Sequence, residues 1–196
     1  MRGSDDNTET DTTIAVECEL VPYGHCSGED LSGQDLSEMN LTGIDFSYGG
    51  DLFSSGYEMS YANLRNVNLS GANLNNADLT GADLTYANLT GADFRYADLT
   101  RAMLGYVNLS NAHLAYADLY NANLWEADLT GADLTGADLS GYASLEYADL
   151  TGANLTNADL TYANFTGAIV TNADFTDTNW YQTIWTDGVA YDENQS

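Results

Sequence analysis

Between Tyr61 and Leu139 a large apolar residue recurs at every fifth position without a slip: Leu64, Leu69, Leu74, Leu79, Leu84, Leu89, Phe94, Leu99 and on through Leu104 to Leu139. Two positions before each stands Ala, or Val at Val67 and Val107, and the residue between is mostly Asp or Asn. A fixed short period of this kind marks a repeat architecture in which each unit buries its apolar side only by stacking on its neighbours.

The beat starts earlier, at Leu31, Leu36, Leu41 and Phe46, where the position two before is Glu29, Gln34, Met39 and Ile44 instead of Ala. Between Phe46 and Leu64 the register shifts, and the simplest parsing keeps Leu52 and Met59 as core residues, with one residue inserted near Gly49 and two at Ser55 and Gly56. These are bulges, too short for a functional loop. A third insertion, of one residue at Gly141 and Tyr142, precedes Leu145, Leu150, Leu155, Leu160, Phe165, Val170, Phe175, Trp180 and Trp185. At the last two units Trp replaces Leu, and Thr178 and Thr183 replace Ala, which reads as an aromatic plug on an open end.

The A-[DN]-L-x-x pattern, running from about residue 29 to 187, resembles the pentapeptide-repeat family. The resemblance implies an all-β fold, a right-handed quadrilateral parallel β-helix with four units per coil. That makes about eight coils, roughly 37 Å of rod at about 4.8 Å per coil. The division along the chain is then a tail at 1–13, an N-terminal cap with a strand at 14–28, the β-helix at 29–187 and an acidic C-terminal tail at 188–196. The alternation of Ile14, Val16, Cys18 and Leu20 marks the capping strand.

Charge decides which partners suit such a rod. The chain of 196 residues carries 30 acidic against 4 basic residues and a formal charge of -26. That surface repels duplex DNA and anionic membranes and attracts basic surfaces or cations. No run of 18 apolar residues exists to span a membrane. Residues 1–13 lack the basic and apolar regions of a secretory signal, which leaves a cytoplasmic protein or a mature secreted form. Cys18 and Cys26 flank a turn at Pro22 to Gly24, so a disulfide-closed loop and two free thiols both remain open; the disulfide would imply an oxidising compartment. His25 beside Cys26 is a ligand short of a closed zinc site.

Sorting outward residues at 20 per coil singles out one face. Asp35, Glu58, Asp78, Asp98, Asp118, Asp138 and Asp159 form a column about 5 Å apart, ending in Asn179. Like charges at that spacing repel, and weak binding of divalent cations follows. The plain alternative is that this unit position is acidic or Asn nearly everywhere. Tyr86 and Tyr106 stack, as do Tyr96 and Tyr116, and Ile169, Ile184 and Tyr181 mark an apolar contact patch. His25 and His113 are isolated, no phosphate loop follows a strand, and a Leu and Ala core leaves no internal pocket, so the chain reads as non-enzymatic and without a cofactor.

Two functions fit. Some pentapeptide-repeat proteins resemble duplex DNA in width, shape and charge and occupy the DNA groove of gyrase or topoisomerase IV. By that resemblance the chain is a rigid acidic interaction scaffold, a DNA mimic that docks on a basic protein surface such as a topoisomerase groove. It lacks the dimerisation helix of such relatives, which makes it a monomer or weak dimer. The alternative is a structural or secreted surface solenoid adapted to high salt or divalent cations.

The Ala positions yield a direct test. Four walls converge on a narrow axis, so Ala97→Leu overpacks it and destabilises the protein by about 1–3 kcal/mol; a thermal melt indistinguishable from wild type would show that Ala97 does not point inward.

Overall fold

The computed structural model describes residues 20–24, 26, 31, 34, 36, 39–41, 44, 46 and 62–191. The chain winds as a right-handed four-sided β-helix. Leu64, Leu84, Leu104, Leu124, Leu145 and Phe165 stack on one wall above Leu31 as the heads of successive turns, and Trp185 opens the next. The walls are ladders of single-residue parallel bridges, such as Asn63 to Asp83 and Asp83 to Met103, with no extended strands.

One unit accounts for its own backbone donors. Leu64 N–H donates to Asp83 O at 2.7 Å and Asn66 N–H to Thr85 O at 3.1 Å in the next turn, while Asn68 N–H reaches back to Gln34 O at 2.9 Å. Val67 N–H closes the corner on Leu64 O at 3.2 Å. The fifth donor, Arg65 N–H, finds no backbone carbonyl and goes to Asn63 Oδ1 at 3.2 Å. The same five assignments recur around the helix, because buried amides require partners.

Each corner from Asn66 to Gln182 has positive φ at the second residue after the central Leu. A β-turn with its third residue left-handed favours Gly or Asn there, which explains Gly81, Gly91, Asn111 and Asn121. Tyr occupies the same strained position at residues 86, 96, 106, 116, 147 and 162.

Inside, the Leu, Phe and Ala side chains between Ala62 and Phe165 are all but fully buried. Burying a Leu contributes about 1.5–3 kcal/mol, and Ala keeps the opposing walls close. The N-terminal end is looser. Gln34 is exposed at an inward position, and Leu31 and Met39 are only partly covered.

The register near this end differs from the expected one. Asn40 bridges Asn73, and Phe46 N–H donates to Asp78 O at 2.6 Å. The turn from Leu31 to Phe46 therefore lies directly against the turn from Leu64 to Leu79. The step between these turns is 33 residues where the others are 20, so a single excess of 13 residues replaces the three short insertions inferred around Leu52 and Met59. Those two residues, like the strand expected at 14–19 and the tail at 1–13, lie outside the described residues. The insertion at Gly141 and Tyr142 is as expected. Asn123 bridges Ser144, a step of 21, with every later wall kept in place.

The C-terminal end is closed by rings. Trp180 and Trp185 lie 4.5 Å apart, Phe165 and Phe175 each 5.2 Å from Trp185. Thr178 and Thr183 are buried, and their hydroxyls donate to Phe175 O at 2.7 Å and Leu160 O at 2.6 Å, so the change from Ala leaves no orphan polar group. Residues 188–191, expected as the start of a tail, instead fold back: β1 (Thr183–Ile184) pairs antiparallel with β2 (Ala190–Tyr191), and Trp185 N–H donates to Val189 O. The hairpin partly covers Ile184. No helix among the described residues is long and apolar enough to cross a membrane.

The corners generate a backbone test. Gly91 has φ of 64°, and a Cβ there would meet nothing within 4 Å. Gly91→Ala therefore isolates left-handed strain and costs about 1–2 kcal/mol by chemical denaturation; a variant as stable as wild type would refute a left-handed corner there.

Candidate acidic interaction face

The fifth amide of each unit shapes the outer surface. In an Asx turn a short side chain accepts from the backbone two residues on. Asp78 Oδ1 accepts from Thr80 N–H at 3.0 Å, Asp98 from Thr100 at 2.9 Å, Asp118 from Tyr120 at 2.9 Å, Asp138 from Ser140 at 2.8 Å and Asp159 from Thr161 at 2.9 Å. Asn does the same at Asn88, Asn108 and Asn154. Many Thr hydroxyls turn onto the same oxygen, as Thr90 does onto Asn88 at 2.7 Å, so the Ser and Thr rows serve the caps. The Asp or Asn preference at this unit position thus has a structural cause on every face.

The acidic column is continuous over five turns. Asp78, Asp98, Asp118, Asp138 and Asp159 bridge in succession and end on Asn179. Each side chain is half-buried with one oxygen held by the backbone. The column's start is different from the expected one. Since Phe46 stacks on Leu79, and Leu36 N–H donates to Asn68 O, the position before Leu36 shares a wall with Asn68, and the one before Phe46 shares that of Asp78. Asp35 and Glu58 themselves lie outside the described residues.

The ion pairs among the described residues fall on other walls. Arg65 reaches Asp83 Oδ2 at 3.0 Å, and Arg95 reaches Asp93 Oδ2 at 2.6 Å. Partial burial pushes the Asp83 carboxyl up, but hydrogen bonds from Thr85 and Arg65 outweigh it and hold the group below its ordinary value. Asp93 is held low first by its hydrogen bond from Arg95. A carboxyl lowered by folding stabilises above its unfolded pKa and loses that contribution as pH falls through the folded value. Both act below about pH 4.

Tyrosines frame the acidic wall. Tyr96 and Tyr116 stack at 5.4 Å and 6° along one corner, and Tyr86 and Tyr106 stack at 4.8 Å and 10° on the opposite corner of the prism. The wall's other edge carries Arg101 and then Tyr142, Tyr162 and Tyr181, with neighbouring rings 5.9 and 5.7 Å apart. An open cleft of about 390 Å³ lies there against Tyr120, Ser140, Tyr142, Asp159 and Tyr162. Sequence columns did not reveal this cleft, because the added residue at position 142 moves a ring off the 20-residue grid. Ile169 is half-exposed as expected, and Tyr181 belongs to the tyrosine row. Cys26 is buried and disulfide-bonded; Cys18, the other cysteine of the sequence, lies outside the described residues. Among the described residues no cluster of His, Cys, Asp and Glu could hold a metal ion.

The profile of the pentapeptide repeats matches residues 62–177 in overlapping segments, more than half of the chain. The chain belongs to the pentapeptide-repeat family. Its solved pentapeptide-repeat neighbours include HetL of the cyanobacterium Nostoc, involved in heterocyst differentiation regulation, at 29% identity over 84% of this chain and 92% of that one, TM-score 0.24. Rfr23 of the cyanobacterium Cyanothece is 27% identical over 80% of this chain and 90% of its own, TM-score 0.28. Full-length QnrB1, a plasmid-mediated fluoroquinolone resistance protein, is 22% identical over 76% and 78%, TM-score 0.38. No curated protein sequence matches the chain.

The cap assignment separates charge from structure. Asp98→Asn keeps the acceptor and leaves the melting temperature unchanged or slightly raised, whereas Asp98→Ala strands the Thr100 amide and costs about 1 kcal/mol. Equal losses in the two variants would show that charge, and not the cap, matters at this site.

Proposed function

We propose that the protein is a rigid acidic docking scaffold whose wall from Asp78 to Asp159 engages a basic protein surface, of the kind formed by a topoisomerase DNA groove. The observation that carries this reading is the straight row of five carboxylates, each oriented by its backbone cap and none drawn into an ion pair among those described. Charge density supports it. The 15 acidic and three basic residues from Ala62 to Asp187 lie along roughly 30 Å of axis at about 4.8 Å per turn. That is about one net negative charge per 2.5 Å, against about one per 1.7 Å in duplex DNA. A basic groove built for DNA meets a comparable field on a body that needs no ordering.

A second reading rests on Cys26. Its disulfide favours an oxidising compartment, where the same acidity would serve a secreted or surface solenoid solvated in high salt or bridged by divalent cations. Thermal melts with and without Ca²⁺ or molar salt test it, and indifference to both removes it.

For the first reading, purified protein inhibits gyrase supercoiling at micromolar concentration and low salt, the effect fading as salt screens the charges. A variant with Asp78, Asp98, Asp118 and Asp138 all changed to Asn keeps its fold and loses the effect. Absence of any effect of the wild-type protein at low salt would overturn the topoisomerase assignment.

A further inference from the structure

Two units share the same five residues: Ala82–Tyr86 and Ala158–Tyr162 are both A-D-L-T-Y. In the first, a cation from the preceding turn sits against the unit. The Arg65 guanidinium donates to Asp83 Oδ2 at 3.0 Å, and its Cζ lies 5.9 Å from the centre of the Tyr86 ring. Asp83 is oriented for this by its other oxygen, which accepts from Thr85 N–H at 3.0 Å and from the Thr85 hydroxyl at 2.5 Å. Asp159 is held in the same way by Thr161, at 2.9 and 2.5 Å.

The register makes Ser140 the counterpart of Arg65, since Leu64 N–H donates to Asp83 O and Leu139 N–H to Asp159 O. Ser140 is too short to reach either the carboxylate or the ring, and the cleft of about 390 Å³ opens above it. Its walls are shaped by the insertion. A Cβ on Gly141, whose φ is 77°, would lie 2.8 Å from the Tyr120 ring, so only glycine lets that ring lie against the backbone here. Tyr142, the added residue, has its N–H held by Asn121 Oδ1 at 3.0 Å, and its ring is 78% exposed beside Tyr162. Three tyrosine rings thus surround one oriented carboxylate at the C-terminal end of the acidic wall.

We propose that this cleft binds an arginine side chain of a basic segment on a partner protein, repeating between molecules the contact that Arg65 makes within this one. Asp159 accepts from the guanidinium while the tyrosine faces stack on it. A planar, weakly hydrated guanidinium suits ring faces better than a lysine ammonium does, and the charge of -26 brings basic segments in. The inference deepens the docking reading, since Asp159 ends the same column, but does not require the partner to be a topoisomerase.

The test uses the full chain and a fluorescein-labelled tetra-arginine peptide near physiological salt, where charges beyond about 8 Å are screened. Tetra-arginine binds more tightly than tetra-lysine. Ser140→Arg fills the cleft as Arg65 fills its own and weakens binding roughly fivefold or more, as does Tyr162→Ala, while Tyr162→Phe keeps the ring and the affinity. Thr100→Arg, which adds the same charge to the same wall two turns away, changes affinity less than about twofold under that screening. The proposal fails if tetra-arginine does not bind. It fails equally if Thr100→Arg weakens binding as much as Ser140→Arg, or if Tyr162→Ala binds like wild type, since net charge alone would then explain the affinity. Normal peptide behaviour alongside a wild-type protein inert toward gyrase supports the cleft and removes only the topoisomerase as its partner.

Discussion

Every turn of this helix must find an acceptor for five amides per unit, and the neighbouring turns and the corner supply only four. The fifth falls to the side chain of the outward Asp or Asn, as with Thr100 on Asp98 and Ser110 on Asn108. Asp and Asn satisfy that amide equally, so the fold fixes where the side chain sits and which way it points while leaving its charge open. The wall containing Asn68, Asn88 and Asn108 meets the requirement without charge; the wall from Asp78 to Asp159 meets it with a charge at every turn. A charge pattern can therefore be written on this surface at little cost to the fold, and the cost that remains is mutual repulsion.

The corners obey a second constraint, and here the chain departs from the cheapest choice. Left-handed backbone is nearly free for Gly and tolerable for Asn, yet Tyr holds it at six corners. Strain of that kind persists where surrounding structure fixes the backbone, and each corner is pinned by an amide to the next turn, as Tyr86 is by Gly105 O and Tyr162 by Tyr181 O. Ring stacking returns part of the strain. The result is a row of broad, half-exposed aromatic faces beside fixed carboxylates, which is the chemistry that Arg65 finds between Asp83 and Tyr86.

Much of this was legible in the sequence because it follows from the period alone. Leu and Ala inward, 20 residues per turn, the bulge at Tyr142, the stacks of Tyr86 on Tyr106 and Tyr96 on Tyr116, and the tryptophan plug all depend on counting fives. What counting could not settle was the passage from Phe46 to Ala62. Leu52 and Met59 fall near enough to the beat to pass as core residues, and only the hydrogen bond of Phe46 to Asp78 reveals 13 additional residues between turns. That error carried Asp35 and Glu58 into the acidic column. The hairpin at 190–191 was equally hidden, since two residues show no alternation. The cleft depends on how rings from three turns converge.

Rigidity gives the charge pattern its effect. An unfolded acidic chain of the same composition would carry the same net charge but would have to order itself on a partner, giving up much of what its charges gain. In this helix the carboxylates are already aligned by the backbone that stacks the turns, so the field of the acidic wall exists before any partner arrives. Closure of the C-terminal end by Trp180, Trp185 and the antiparallel hairpin removes that end as a template for further turns. Association is thereby directed sideways, onto the walls, where the Asp78 to Asp159 row and its tyrosine edges lie.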